Sequence, residues 1–175
     1  MKYITTLLLA LLLVSCGTIK VHYDYERETD FSGYNTYNYF ADMQTGIPEL
    51  DEKRFFKAMD ITLQTKGLKF SEEPDILIDV KSIIYEARSR NTVGVGLGGG
   101  NAGLGGGVSL GIPVGGPNLT REIEINFIDA RKDAMVWQAI GTQPYKEGAP
   151  PAVKEEKMQE LISKIFDKYP PKTKN

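Results

Sequence analysis

Cysteine is nearly missing from this 175-residue sequence, which has Cys16 and no other. One cysteine excludes an intrachain disulfide, so the fold must rest on buried apolar surface. Histidine is as scarce, with His22 alone. A zinc site normally takes three or four His, Cys or carboxylate ligands, and this supply argues against one. Charge of one sign is lacking too: 21 Lys and Arg stand against 23 Asp and Glu, for a formal net charge of −2. Without a basic patch or stripe, nucleic acid is not an expected partner. No G-x-S-x-G elbow occurs to set a serine beside His22 in a triad. No apolar run reaches the about 20 residues that a membrane-spanning helix needs. No cofactor, metal or catalytic constellation is expected.

What is present begins at the N-terminus. Lys2 supplies a positive charge, and Ile4 to Val14 is apolar except for Thr5 and Thr6. That length suits a secretory signal, which is excluded from fold reasoning. It ends in Leu13-Val14-Ser15-Cys16, the pattern called a lipobox. A lone thiol in a secreted protein is otherwise a liability, and lipidation gives it a purpose. Each buried methylene of an acyl chain adds about 0.8 kcal/mol, so two or more chains anchor durably. Residues 1–15 are therefore expected to be removed, leaving a single domain over 16–175 tethered by lipid on Cys16. Gly17, Thr18, Ile19 and Lys20 follow the cysteine with no acidic residue among them. By resemblance to lipoprotein sorting signals, that favours the inner leaflet of a bacterial outer membrane, with the domain facing the periplasm.

The remaining chain reads as alternating strands and two helices. Val21, Tyr23 and Tyr25 alternate with polar residues in a first strand, and Tyr34 to Phe40 forms a second. These two are expected to pair as a hairpin. Pro48 and the acidic Glu49, Asp51 and Glu52 mark a helix start, and Gly67 marks its end just after Lys66. Leu68 to Phe70 is a short strand and Asp75 to Arg88 a long one. Leu119, Ile123, Ile125 and Phe127 alternate with Thr120, Glu122, Glu124 and Asn126, which predicts a strand with one buried face. Glu122 and Glu124 then belong to a solvated face rather than to acid–base chemistry. A turn at Asp129 to Asp133 leads into a strand over Ala134 to Gly141. A final helix over Ala152 to Tyr169 puts Met158, Leu161, Ile162, Ile165, Phe166 and Tyr169 on one side. The fold class is α+β: a largely antiparallel sheet with two helices packed on one face and a glycine-rich hairpin or loop insert.

Asp30-Phe31-Ser32-Gly33-Tyr34-Asn35-Thr36-Tyr37 resembles the D-F-S-x-Y-x-T-Y opening of domain-of-unknown-function family 4136. Glu122 to Ala130, followed by Met135-Val136-Trp137, resembles that family's later hairpin, and the glycine-rich segment between them is similar in place. Tyr39-Phe40 departs from the Ala-Trp pair common there. The resemblance covers essentially the whole chain after Cys16. It implies an envelope lipoprotein of α+β fold and carries over no activity.

The insert, residues 92–117, is the most unusual segment. Twelve of the twenty-three residues from Gly94 to Gly116 are glycine, and no charged residue lies between Thr92 and Asn118. Gly94 to Gly99 formally matches G-x-G-x-x-G. That motif binds nucleotide only where it opens a helix in a βαβ unit, which a glycine run does not support. A flexible loop, a hairpin packed on its own domain, and an interaction element remain open. In the last case Val95, Leu97, Leu104, Val108 and Leu110 are the candidate contact residues, for lipid or for an envelope protein partner. Five tyrosines crowd residues 23 to 39. Such rings can stack on sugars, which makes Tyr23, Tyr37 and Trp137 candidate ligand-stacking residues, or they can pack a sheet face. The expected role is a non-catalytic structural or interaction lipoprotein of the cell envelope. The alternative is a small-ligand or glycan-binding one.

Overall fold

The cleanest alternation in the sequence forms the centre of a sheet. The computed structural model describes residues 19–87, 92–94, 111–113 and 118–172. Its elements are β1 (Lys20–Tyr25), a 3₁₀ turn (Phe31–Gly33), β2 (Thr36–Tyr39), α1 (Glu49–Thr65), β3 (Lys69–Phe70) and β4 (Ile76–Glu86). There follow β5 (Thr92–Gly94), β6 (Gly111–Pro113), β7 (Leu119–Asp129), β8 (Ala134–Pro144) and α2 (Pro151–Phe166).

Six strands make one sheet in the order β1-β8-β7-β4-β2-β3. The first three pairings are antiparallel, and β2 lies parallel to both β4 and β3. Parallel neighbours need a crossover, and α1 supplies it between β2 and the strands that follow. Both helices lie on one face, where odd-numbered Ile123, Ile125 and Phe127 of β7 meet them. Phe55, Met59 and Leu63 of α1 join Leu161, Ile162, Ile165 and Phe166 of α2 to fill that layer. Each such side chain contributes about 1.5–3 kcal/mol when fully buried.

The expected β1–β2 hairpin does not form. All six residues of β1 pair with β8, from Lys20↔Thr142 to Tyr25↔Trp137, while β8, β7 and β4 lie between β1 and β2. The connection over 26–35 carries the 3₁₀ turn and crosses the end of the sheet. It is held there by carboxylates at the start of β4 and the end of β7, described below. The 3₁₀ turn also takes Tyr34 out of the second strand.

The helix ends follow from their sequences. The main-chain N–H groups of Asp51 and Glu52 donate to Pro48 O at 2.8 Å, and three acidic residues occupy the positive first turn of α1. At its other end Gly67 takes φ +89°. Leu68 N then donates to Leu63 O and Gly67 N to Gln64 O, both at 3.0 Å, with the apolar Leu63 and Leu68 buried together. Proline at the first position of α2 loses no helical hydrogen bond. Between β2 and α1, Thr45 O accepts from Ser82 N at 2.7 Å, which lays this segment along the edge of β4. Gly46 follows at φ +68°, where an added Cβ would meet Ser82 O at 2.7 Å.

β5 and β6 pair antiparallel as a separate two-stranded sheet, with Val93 opposite Ile112. The insert positions Val95, Leu97, Leu104, Val108 and Leu110 lie outside the described residues, as do residues 1–18 with the expected signal and Cys16.

Candidate functional site

The register brings three features to one end of the sheet. Lys20 of β1 pairs with Thr142, Thr142 with Glu122, and Glu122 with Ile83. The start of β1 therefore lies at the same end as the close of β4 and the start of β7, between which the insert leaves and returns. Glu86 pairs with Leu119, and Ala87 N donates to Asn118 O at 2.8 Å, so the two roots are side by side. Ile83, Ile84 and Tyr85, just before the insert, are exposed.

Beneath this end lies a buried ion pair. Arg121 shares the odd-numbered register of Ile123 and Ile125, so the strand carries its guanidinium into the interior. Its Nη2 donates to Asp51 Oδ2 at 2.6 Å, with both side chains about 95% buried (4% and 5% exposed). Arg54 Nη1 donates to the other oxygen, Asp51 Oδ1, at 2.7 Å. The guanidinium also lies 4.3 Å from the ring centroid of Tyr145, a cation–π distance. Burial works against the ionised Asp51. The Arg121 hydrogen bond outweighs it together with the charges of Arg121 and Lys154 and the Arg54 bond, and holds the carboxyl below its ordinary value. Arg121 and Gln143 are register partners. Each keeps one buried side-chain atom, Nε and Oε1 respectively, without a hydrogen-bond partner among the described residues.

The opposite end of the sheet holds the D-F-S-x-Y-x-T-Y segment, whose residues act as a clasp. Asp30 accepts from the main chain and hydroxyl of Ser32 at 2.9 and 2.6 Å, capping the 3₁₀ turn. Phe31 is buried against Tyr25, Tyr34 and Tyr169. The Tyr34 hydroxyl donates to Asp129 Oδ2 at 2.8 Å, which ties this segment to the later Asp129-Ala130 segment. Asp75 Oδ2 accepts from Asn35 N, Thr36 N and Thr36 Oγ1 at 3.0, 3.1 and 2.9 Å, and Arg131 Nη2 reaches its other oxygen at 2.8 Å. The Asn35 main-chain bond leads in holding the Asp75 carboxyl below its usual value. For Asp129, burial opposes ionisation. The Tyr34 hydroxyl and the main-chain bonds from Lys132 and Arg131, with the Lys132 charge, win.

The candidate stacking residues divide. Tyr23 keeps an exposed ring at the sheet edge, stacked 6.3 Å from Tyr25. Tyr37 and Trp137 do not offer ring faces to a ligand, because α1 and α2 seal them in the core. Trp137 lies among Phe127, Phe166 and Tyr169, with centroids 5.0, 5.7 and 5.3 Å away. Tyr37 and Tyr39 both donate to Asp60 Oδ1, at 2.8 and 2.7 Å. Burial and then the Asp60 carboxylate push both phenols above their ordinary value. His22 is exposed on the helix-free face.

Residue periodicity did not single out Arg121 or pair it with Asp51. The signal available was parity: an arginine in phase with buried isoleucines. Chemically, the carboxylates of Asp51, Asp60, Asp75 and Asp129 are bound to internal partners, while Arg121 Nε, Trp137 Nε1 and Gln143 Oε1 are buried without a hydrogen-bond partner among the described residues. Carboxylates held ionised and phenols held protonated are poorly matched to proton transfer near neutral pH. Among the described residues no three His, Cys, Asp or Glu side chains form a metal-binding group.

Known proteins place this architecture. A search of curated proteins finds no match. Among solved structures, a PDZ domain protein from Parabacteroides distasonis is similar with a TM-score of 0.54 at 14% identity, over 95% of this chain and 39% of that one. The chain thus spans well under half of that protein, and the likeness is one of fold. The PelC dodecamer from Paraburkholderia phytofirmans gives a TM-score of 0.49 at 13% identity, over 85% of this chain and 95% of that one. The family model described as Domain of unknown function (DUF4136) matches residues 21–171, most of the sequence, and the chain belongs to that family.

Proposed function

We propose that this protein is a cell-envelope lipoprotein, anchored by lipid on Cys16, with a structural or interaction role and no catalysis of its own. The observation that carries this reading is Leu13-Val14-Ser15-Cys16 closing an apolar run, with Cys16 the sole cysteine. The first strand begins four residues later at Lys20. Among the described residues no helix is long and apolar enough to cross a membrane. An acyl anchor supplies membrane attachment without one. The outer membrane, with the domain in the periplasm, is the proposed address. A non-catalytic role is supported by the commitment of Asp51, Asp60, Asp75 and Asp129 to internal partners. The uncharged insert, with Val95, Leu97, Leu104, Val108 and Leu110, is the proposed contact element for an envelope protein.

Crosslinking in intact cells tests this. The full chain and a variant lacking residues 92–117 are compared by mass spectrometry of their crosslinked partners. Loss of specific partners on deletion is expected. Unchanged partners would remove the insert's role, and a Cys16→Ser variant that stays in the membrane would remove the anchor.

One observation favours a small-ligand or glycan-binding role instead. An open groove of about 720 Å³ lies on the helix-free face under the Phe40–Gln44 segment. Glu124 and the buried Asn126 line it, hydrogen-bonded to each other and to Gln138 behind them, beside the exposed Phe40 and Met135. Paired amide and carboxylate groups next to an apolar ring suit sugar hydroxyls and ring faces. Titration with soluble peptidoglycan fragments tests this second role. Saturable binding lost in Glu124→Ala, at the partly exposed lining carboxylate, would support it, and no heat or spectral change at millimolar glycan would end it.

A further inference from the structure

We infer that the end of the domain bearing the insert roots is its membrane-facing surface, with Leu50, Ile83, Ile84, Tyr85 and Val153 resting on the lipid boundary. This rests on the anchor read at Cys16. Ten large apolar side chains are exposed among the described residues, and these five gather at that one end. Ile83, Ile84 and Tyr85 stand there near the close of β4, just before its last residue Glu86. Leu50 and Val153 stand in the first turns of α1 and α2. Both first turns are brought to this end by Asp51 on Arg121 and by Lys154, 6.0 Å from the Tyr145 ring. Leu50 and Ile83 are 65% and 57% exposed, far more than packing would leave to a leucine or isoleucine with an internal partner.

The tether selects a lipid surface as the occupant. Three residues, Gly17, Thr18 and Ile19, separate Cys16 from Lys20, and the four steps between them reach roughly 14 Å at about 3.3–3.6 Å each. Lys20 is at the insert end. β4 and β7 each run eleven residues to the far end, roughly 35 Å at 3.3 Å per residue. Lys20 is level with Glu122 through Thr142, and from Glu122 seven residues remain to Asp129, roughly 23 Å at about 3.3 Å per residue, so turning the far end to the bilayer would require the tether to reach well beyond its roughly 14 Å. The far end is also chemically unsuited: its turn presents the exposed Arg131, Lys132 and Asp133. After Glu86, Arg88 and Arg90, which can keep their charges at the headgroup level, the sequence from Thr92 to Asn118 has no charge to desolvate. Tyr85 suits the headgroup level, and Lys20 can lay its stem on lipid with its ammonium in water.

Depth-dependent quenching tests the orientation. Full-length lipidated protein carrying Ile83→Cys, Ile84→Cys or, at the far end, Lys132→Cys is labelled with an environment-sensitive fluorophore. It is then reconstituted in phosphatidylethanolamine–phosphatidylglycerol vesicles containing brominated acyl chains. Labels at 83 and 84 should be quenched several-fold more than the label at 132. The 83 and 84 sites lie on opposite faces of β4, so one disturbed variant does not decide the outcome. If the protein floats with vesicles and Cys16 is unreactive, yet all three labels are quenched alike, the orientation is wrong while the anchor stands. If the 83 and 84 labels are shielded from aqueous iodide but not quenched by brominated lipid, a protein or second copy covers this end instead. If the protein stays in solution with a reactive Cys16, the anchor itself fails and the orientation falls with it.

Discussion

Replacing Arg121 with methionine should cost this protein about 3 kcal/mol of stability, at the lower end of the range of about 3–5 kcal/mol for breaking a buried pair. The side chain fills similar volume, so the loss is electrostatic rather than a cavity. Asp51, 5% exposed, would lose the 2.6 Å bond from Arg121 and keep only Arg54 at 2.7 Å. Arg54 is the reason for choosing the lower end. In a chain of this size, about 3 kcal/mol lowers the thermal midpoint by roughly 6–12 °C. Replacing both partners, Asp51→Leu with Arg121→Met, should recover most of the loss, because an apolar pair leaves no charge unpaired. Thermal and urea melts of the four proteins close a double-mutant cycle. The pair also has a pH signature. The folded Asp51 carboxyl is held below its unfolded value, so its contribution is fully present above about pH 4 and fades as pH falls through the folded value. The gap between native protein and Arg121→Met should therefore narrow in acid. An Arg121→Met protein within about 0.5 kcal/mol of native, or a double variant less stable than the single one, would refute the assignment.

Other outcomes follow from the same geometry. Gly46→Ala should destabilise by about 1–3 kcal/mol, because residue 46 sits at φ +68° with Ser82 O in the way of a Cβ; a chemical melt matching the native one would contradict this. Tyr34→Phe removes the hydroxyl bond to Asp129 and should cost about 1.5–3 kcal/mol at neutral pH. Asp129 is another carboxyl held below its ordinary value, so the Tyr34→Phe deficit should shrink as pH falls below about 4, and a constant deficit would show that the bond is not to an ionised group.

Much of the fold was readable because period and punctuation agree. Period-2 alternation marked β7, and period-3.6 patterning marked the face of α2 from Met158 to Phe166, although the helix ends at Phe166 rather than at the expected Tyr169. Gly67 stopped α1 where a left-handed residue was needed. Long-range choices were not readable. Neighbouring strands in sequence suggest a hairpin, but β1 and β2 are parted by a connection fixed through Asp75 and Asp129, forty and ninety-five residues from their partners Asn35 and Tyr34. Tyr37 and Trp137 have the chemistry of stacking platforms or of core. Only the packing of the helices over them decides between the two. Arg121 advertised its burial by parity with Ile123 and Ile125. Its partner Asp51 looked like an ordinary helix-start acid, because the first turn of a helix and a buried pair use the same residue type. The insert was marked by composition alone, which names a chemistry without naming a shape.

The anchor at Cys16 is the claim on which role and orientation depend, and the mass of the mature N-terminal peptide tests it most directly. Protein recovered from membranes is digested, and its first peptide is sequenced by tandem mass spectrometry. The expected chain begins at Cys16 and carries a diacylglyceryl group on Sγ. A chain that begins at any other residue, or a Cys16 with an unmodified thiol, would contradict it.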